Sequence, residues 1–317
     1  MEYTRLSKAD ITISKIAFGG WQASGWESSD DKRFVQVLEA GIERGITLID
    51  TAEAYGKGHS ENLIAKAIAC KRDKLILASK FSPQNSKPEA IRETLHEILK
   101  RLETDYLDIY QQHWPPKEPP LAESIAELEK LKDEGKIRAI GVSNWHEPEW
   151  DEFNKPELID TLQPCYSLLW RNIEPKVLPL CEENKIGVLA YSPLCQGILC
   201  GRFSSLDQIP NDPRKHNVML REDTLPQVKK VLEALTLVSE RNGKTLAQTA
   251  LRWLLDKAEV SATLVGVSSV SQLDENLGAL GWSLSTNDMA LLDKASQPLI
   301  SRFKPHQTLW KWHPKRR

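Results

Sequence analysis

The stretch "ITLIDTAEAYGKGHSENLIAKAIAC", residues 46–70, contains one repeat of a larger pattern. "ITLIDTA" (46–52) is apolar and of strand length, while "SENLIAKAIAC" (60–70) has apolar residues at helical spacing, with Ser60 placed as its N-cap. A glycine-punctuated loop joins them. The stretch also raises a chemical question. Asp50 stands at the end of an apolar run, where burial should be deepening, and Tyr55 follows in a loop flanked by Gly56 and Gly58.

The strand-then-helix pattern recurs on both sides. Before it come a strand at 13–20 ("ISKIAFGG") and a helix at 31–45, which sets Phe34, Val35, Leu38 and Ile42 on one face and stops at Gly45. After it come a strand at 74–81 and a helix at 86–103, opened by Ser86 with Glu89 three residues on, the capping-box spacing. Strand 106–114, helix 121–135 ending at Gly135, strand 136–144 and a short helix near 148–154 continue the series. Strand 158–167, helix 175–185, strand 186–194, helices near 226–241 and 245–257, strand 262–269 and a last helix at 269–280 complete it.

Helical crossovers make successive strands parallel, and eight such units close into a (β/α)8 TIM barrel. A doubly wound sheet is disfavoured. The first strand runs into "FGGWQASG" (18–25), without G-x-G-x-x-G and without a helix starting at the glycines. The opening "YTRLSKADITIS" (3–14) reads as a β-hairpin closing the barrel bottom. We therefore expect one barrel domain over residues 1–317.

Composition narrows the function classes. With a formal net charge of -2, no global field favours nucleic acid or an anionic membrane. The basic tail "KWHPKRR" (311–317) reads as a solvated surface segment. No apolar run reaches the roughly 18–20 residues of a membrane span, and the N-terminus lacks a signal-peptide pattern, so a cytoplasmic location is expected. The 5 cysteines (Cys70, Cys165, Cys181, Cys195, Cys200) are scattered, without C-x-x-C spacing, as suits reduced thiols.

In such barrels reactive groups gather at the C-terminal ends of the strands. Those ends carry Asp50, with Tyr55 beyond it, then Lys80, His113, Ser143 and Asn144, Gln163, Tyr191 and Ser192. Singly, Asp50 reads as a turn carboxylate, Tyr55 as a surface aromatic, Lys80 as a solvated charge and His113 as a core histidine. Together they make an acid–base site. A phenol with a free pKa of about 10 donates poorly at neutral pH, and an adjacent ammonium lowers that value. An aspartate holds the ammonium charged, and a histidine directs a carbonyl oxygen to the phenol. No nucleophile stands out, and H-x-H and H-E-x-x-H are both absent, so no metal is expected. Electrons must then come from a hydride cofactor.

At this point the chain resembles the aldo-keto reductases. The matching segments are "GITLIDTAEAYGKGHSE" (45–61), "LASK" (77–80), "LDIYQQHWP" (107–115), "IGVSN" (140–144), "QPCYS" (163–167), "LAYSPLCQGILCGRF" (189–203) and "GVSSVSQLDENLGAL" (266–280). They run in family order with family spacing over nearly the whole chain. The resemblance implies NAD(P)H-dependent reduction of aldehydes and ketones. Tyr55 is then the general acid, Lys80 depresses its pKa, Asp50 pairs with Lys80, and His113 orients the carbonyl. Ser143, Asn144 and Gln163 would hold the nicotinamide carboxamide, with Tyr191 stacked on its face and Gly20 and Trp21 beside it. Ser192, Pro193, Leu194, Gln196, Gly197 and Arg202 would follow the pyrophosphate. Gly266, Val267, Ser268, Gln272, Glu275 and Asn276 would hold the adenosine end.

Two features bear on specificity. NADPH is expected, but Ser268 stands where the resemblance often places Arg or Lys for a 2′-phosphate and Gln272 is likewise neutral, which weakens that preference and leaves NADH admissible. Trp21, Trp26 and Trp114 suggest an aromatic-walled pocket for a small carbonyl substrate, and the loop at 201–222 reads as a cofactor clasp or lid. The family also includes potassium-channel beta subunits, which keep the fold and cofactor site as regulatory partners. The oxidative direction on an alcohol or sugar is a further alternative. Nothing in the sequence reports an oligomeric state.

Overall fold

A short apolar strand can bury both its faces only if something covers each, and the helices that follow these strands cover just one. Closing the sheet on itself supplies the other cover. The computed structural model, which describes residues 1–24, 30–203, 213–304 and 307–310, takes this solution. A hairpin comes first, β1 (Tyr3–Leu6) antiparallel to β2 (Ile11–Ser14). Eight parallel strands follow: β3 (Ile16–Gly19), β4 (Leu48–Asp50), β5 (Ile76–Phe81), β6 (Leu107–Gln112), β7 (Ile137–Ser143), β8 (Thr161–Gln163), β9 (Gly187–Tyr191) and β10 (Val260–Val265). They pair in sequence order, and β10 returns to β3, closing the barrel.

The helices are α1 (Asp31–Glu43), α2 (His59–Ile68), α3 (Pro88–Leu102), α4 (Leu121–Asp133), α5 (Glu147–Phe153), α6 (Val177–Glu183), α7 (Leu225–Asn242), α8 (Leu246–Leu255), α9 (Val270–Leu277) and α10 (Thr286–Ser296). Outward strand residues such as Phe18, Leu77, Phe81, Tyr110, Val142 and Val188 pack against them in one large cluster. The inward residues Ala17, Leu48, Ala78, Ile109, Ala139, Leu189 and Ala262 form a second, smaller cluster with Leu6, Ile11 and Ile13 of the hairpin. The hairpin thus stops the lower end of the barrel with side chains worth about 1.5–3 kcal/mol each when fully buried. Gly187 at the start of β9 leaves the space that Leu6 fills, since a Cβ there would overlap Leu6 Cδ2.

Four local expectations are corrected. The strand expected over 13–20 is two strands, because Ser14 turns the corner between them: its Oγ donates to Ile16 O at 2.8 Å and accepts from Thr47 N at 3.0 Å. Gly58, at φ 89°, precedes α2 as its N-cap in place of Ser60, whose buried hydroxyl donates to Gly20 O at 3.0 Å. The helix expected from Ser86 starts at Pro88, whose ring presets the first turn, and its cap residue Lys87 makes no side-chain bond. Finally, α10 follows the helix expected to be last, with Ser285 accepting from Asp288 N as its cap. The basic tail expected as a solvated segment lies outside the described residues, as does the middle of the 201–222 loop.

Candidate active site

Strand periodicity builds the site. Two residues beyond the inner apolar layer, each strand offers one more inward position. On β4 it is Asp50, on β5 Lys80, on β6 Gln111, on β7 Gly141, on β8 Gln163 (two past Thr161) and on β9 Tyr191. A polar layer therefore caps the apolar one. Gly141 makes room for it: a Cβ there would overlap Gln111 Cγ and lie 2.8 Å from Thr161 Oγ1.

Lys80 is fully buried at the centre of this layer. Its Nζ donates to Asp50 Oδ2 at 2.6 Å, to Thr51 O at 2.8 Å and to Tyr55 Oη at 3.4 Å. The other carboxylate oxygen of Asp50 accepts from Gln163 Nε2 at 2.8 Å and Gln111 Nε2 at 3.1 Å. Asp50 sits at a strand end, then, because a buried ammonium on the neighbouring strand needs an anion, and the anion needs donors. Tyr55 returns over the layer through a tight turn. Its N–H donates to Ala52 O at 3.0 Å, and Gly56, Lys57 and Gly58 follow with φ of 61°, 53° and 89°.

His113, one residue past β6, is fixed by its backbone, with N–H to Phe81 O at 3.0 Å and O accepting from Asn144 Nδ2 at 3.0 Å. Its ring stands edge-on to Tyr55, centroids 5.7 Å apart at 81°. Asn144, at φ 60°, also accepts from Tyr191 Oη at 2.7 Å. The phenol, the imidazole and the amide thus surround one point at the barrel mouth.

The electrostatics assign protonation states. Burial lowers the Lys80 ammonium's pKa, but Asp50 and Tyr55 outweigh it and the net direction is up, so the group stays charged. Burial, reinforced by the Lys80 charge, holds His113 well below the ordinary histidine range, so the ring is neutral. Burial also pushes the Tyr55 phenol up; Lys80 pulls it down and Asp50 pushes it up again, for a net rise. The phenol borders an open cavity, so solvent there moderates the effect of burial. Lys80 does pull the Tyr55 pKa down, as expected, but burial outweighs that pull and leaves Tyr55 a protonated donor.

The cavity over these groups measures about 730 Å³, within the range of ligand sites. Its wall includes Asp50, Tyr55, His113, Ser143, Asn144 and Gln163 at the floor, and Tyr191, Ser192, Pro193 and Leu194 along one side. Gln196, Gly197 and Arg202 continue that side, and Gly266, Val267, Ser268, Gln272, Glu275 and Asn276 form its far end. Gly20, Trp21 and Trp114 complete the rim, while Trp26 lies outside the described residues. Lys80 is off the wall, behind Tyr55.

A dinucleotide fits this wall. Among the described residues the Nε2 of Gln196 is buried without a hydrogen-bond partner, a donor that an anionic ligand would satisfy, and Ser192, Cys195, Gln196 and Gly197 all have positive φ. At the far end Gln272 Oε1 accepts from both the N–H and the Oγ of Ser268 at 3.0 Å. The cations lining the cavity, among the described residues, are Arg33, Arg202 and Arg214.

Sequence reasoning missed Gln111 and Trp310. Gln111 was findable, lying one strand period before His113 in "YQQHW". Trp310 stacks edge-to-face on Trp21 at 5.6 Å, brought there by Val218 N donating to Leu309 O, and no local pattern announces that contact.

Comparison with known proteins agrees with this geometry. The aldo/keto reductase family model matches residues 15–297. The NADH-specific methylglyoxal reductase of Escherichia coli strain K12 is 34% identical over 326 residues, covering 94% of this chain and 99% of its own length. The glycerol dehydrogenase from Gluconobacter oxydans superposes with a TM-score of 0.83 at 32% identity, over 96% of this chain and 97% of that one. An aldo/keto reductase from Klebsiella pneumoniae, solved with NADP and acetate, does so with a TM-score of 0.75 at 31% identity, over 90% and 92%.

Proposed function

The chain belongs to the aldo/keto reductase family, and on that premise we propose how its residues divide the work of NAD(P)H-dependent carbonyl reduction. When bound against Ser143, Asn144, Gln163 and Tyr191, a nicotinamide would supply the hydride. The chain supplies the proton and the geometry. Tyr55 Oη donates its proton to the carbonyl oxygen as negative charge develops there. Lys80 stabilises the phenolate that results, and Asp50, gripped by Gln111 and Gln163, keeps Lys80 charged and aimed. Neutral His113 donates a second hydrogen bond to the same oxygen. Trp21 and Trp114 wall the substrate.

The observation that carries the reading is the buried chain Asp50–Lys80–Tyr55 opening on a single large cavity. Cofactor contacts follow the wall described above, from Ser143, Asn144 and Gln163 through Tyr191 and Gln196 to Gln272 and Asn276. The substrate is a small aldehyde or ketone. Five free cysteines suit a reducing cytoplasm, and no helix among the described residues is long and apolar enough to cross a membrane. Similarity to a glycerol dehydrogenase keeps the oxidative direction as a second reading, with Tyr55 then acting as base.

The test is consumption of NADPH with 4-nitrobenzaldehyde by the wild type and by Tyr55→Phe. We expect the variant to bind cofactor and to lose turnover by about 10²–10⁴-fold. Full turnover by the variant would overturn the reading.

A further inference from the structure

Behind the site lies a buried ion pair that the chemistry above does not use. Ser79 precedes Lys80 on β5 and so faces outward, toward α2. Its Oγ donates to Glu61 Oε1 at 2.7 Å. The other oxygen of Glu61 accepts from Arg101 Nε, on the last turn of α3, at 2.5 Å. Glu61 has no exposed surface. A carboxylate enclosed in that way is costly unless paired, and burial does raise its pKa against the opposing pull of Arg101.

Arg101 makes a second contact. Its side chain lies against Gly58, where a Cβ would come within 2.5 Å of both Cδ and Nε. Gly58 closes the run of left-handed residues that begins just after Tyr55. Lys57, in the middle of that run, has φ 53°, a conformation that strains a side-chain-bearing residue and persists only when its surroundings enforce it. One ion pair therefore touches the strand that carries Lys80, the helix that follows the loop, and the loop that carries Tyr55.

We propose that Glu61 and Arg101 form a positioning pair, which holds the Tyr55 loop closed so that the phenol stays within reach of the Lys80 ammonium. The proposal rests on Tyr55 being the proton donor. The Tyr55–Lys80 contact is already long at 3.4 Å, so a small opening of the loop breaks it.

The test compares Arg101→Met, Arg101→Lys and Glu61→Gln with the wild type, and takes Tyr55→Phe as reference. Four quantities are read: kcat and KM, the pH at which kcat falls on the alkaline side, NADPH affinity by tryptophan fluorescence, and melting temperature. We expect Arg101→Met and Glu61→Gln to lower kcat by about ten- to a hundredfold, as a displacement of about 1 Å does. KM and NADPH affinity should hold. The alkaline limb should move to higher pH, because a phenol farther from Lys80 loses the interaction that lowers its pKa. Arg101→Lys should restore most of kcat. A lowered melting temperature with kcat and the limb unchanged would make the pair a structural brace only and overturn the proposal, as would a fall in kcat with the limb unmoved. If Arg101→Met does not fold, Glu61→Gln and Arg101→Lys carry the same readouts. An active Tyr55→Phe would sink the proton-donor reading. An inactive Tyr55→Phe beside an unaffected Arg101→Met would sink the positioning pair alone.

Discussion

At the scale of single residues, the centre of the molecule is a charge problem solved by neighbours. Lys80 is buried where an ammonium is normally excluded, and Asp50 is the anion that permits it. Replacing Asp50 by Asn should leave that ammonium without its counter-charge and cost about 3–5 kcal/mol of stability, measured as a shift in denaturant midpoint. A variant as stable as the wild type would mean that Lys80 sheds its proton on losing Asp50. The pH behaviour follows from Tyr55. Its pKa lies above the ordinary phenol value of about 10, so the acid form is complete at neutral pH. Reduction should then be flat through neutrality and fall only as pH rises through the raised value. Oxidation of an alcohol, which needs the phenolate, should climb over that same alkaline range. Initial rates in both directions across pH check the sign, and a reductive limb near pH 7 would contradict it.

At the scale of elements, period-two alternation explains why the site could be read from sequence. Asp50, Lys80, His113 and Gln163 stood out because each falls at or near the end of a segment of strand length, and strand ends gather at the mouth. Gly141 did not stand out, because its role is to be absent: it yields space to the Gln111 side chain arriving from the next strand. Gly141→Ala should force Gln111 off Asp50 and cost about 1–3 kcal/mol, with reduced turnover. Thermal melting and steady-state rates check both, and an unchanged rate would show that Gln111 is dispensable to Asp50. Helix boundaries were less legible for a related reason. Ser60 and Ser86 have the residue type of an N-cap, yet Ser60 is taken by Gly20 O, while Pro88 sets the start of α3. Capping residues are recognisable locally, but tertiary partners decide which of them cap.

At the scale of the whole molecule, the barrel order and the hairpin stopper were legible because repetition along the chain is itself the signal, and one repeat suffices to define the next. The wall made by Trp310 was not, because a residue so far from Trp21 in sequence meets it only after the barrel has closed. This wall also makes the protein its own reporter. Trp21, Trp114 and Trp310 line the cavity, so a dinucleotide entering it should quench their fluorescence and, by binding only the folded state, stabilise it by about 2.7 kcal/mol at a hundredfold excess over Kd, which raises the melting temperature. We expect NADPH to bind more tightly than NADH, with Arg202 or Arg214 serving the 2′-phosphate in place of the neutral Ser268 and Gln272. NADH binding at least tenfold tighter would reverse that assignment. The hairpin has one more consequence. With the inner side chains it seals the barrel beneath the site, so among the described residues Tyr55 is approached from the mouth. A carbonyl compound that reaches Tyr55 from that side and the alcohol it becomes then share one threshold, so we expect the alcohol product to inhibit reduction competitively with the carbonyl substrate in initial-rate measurements.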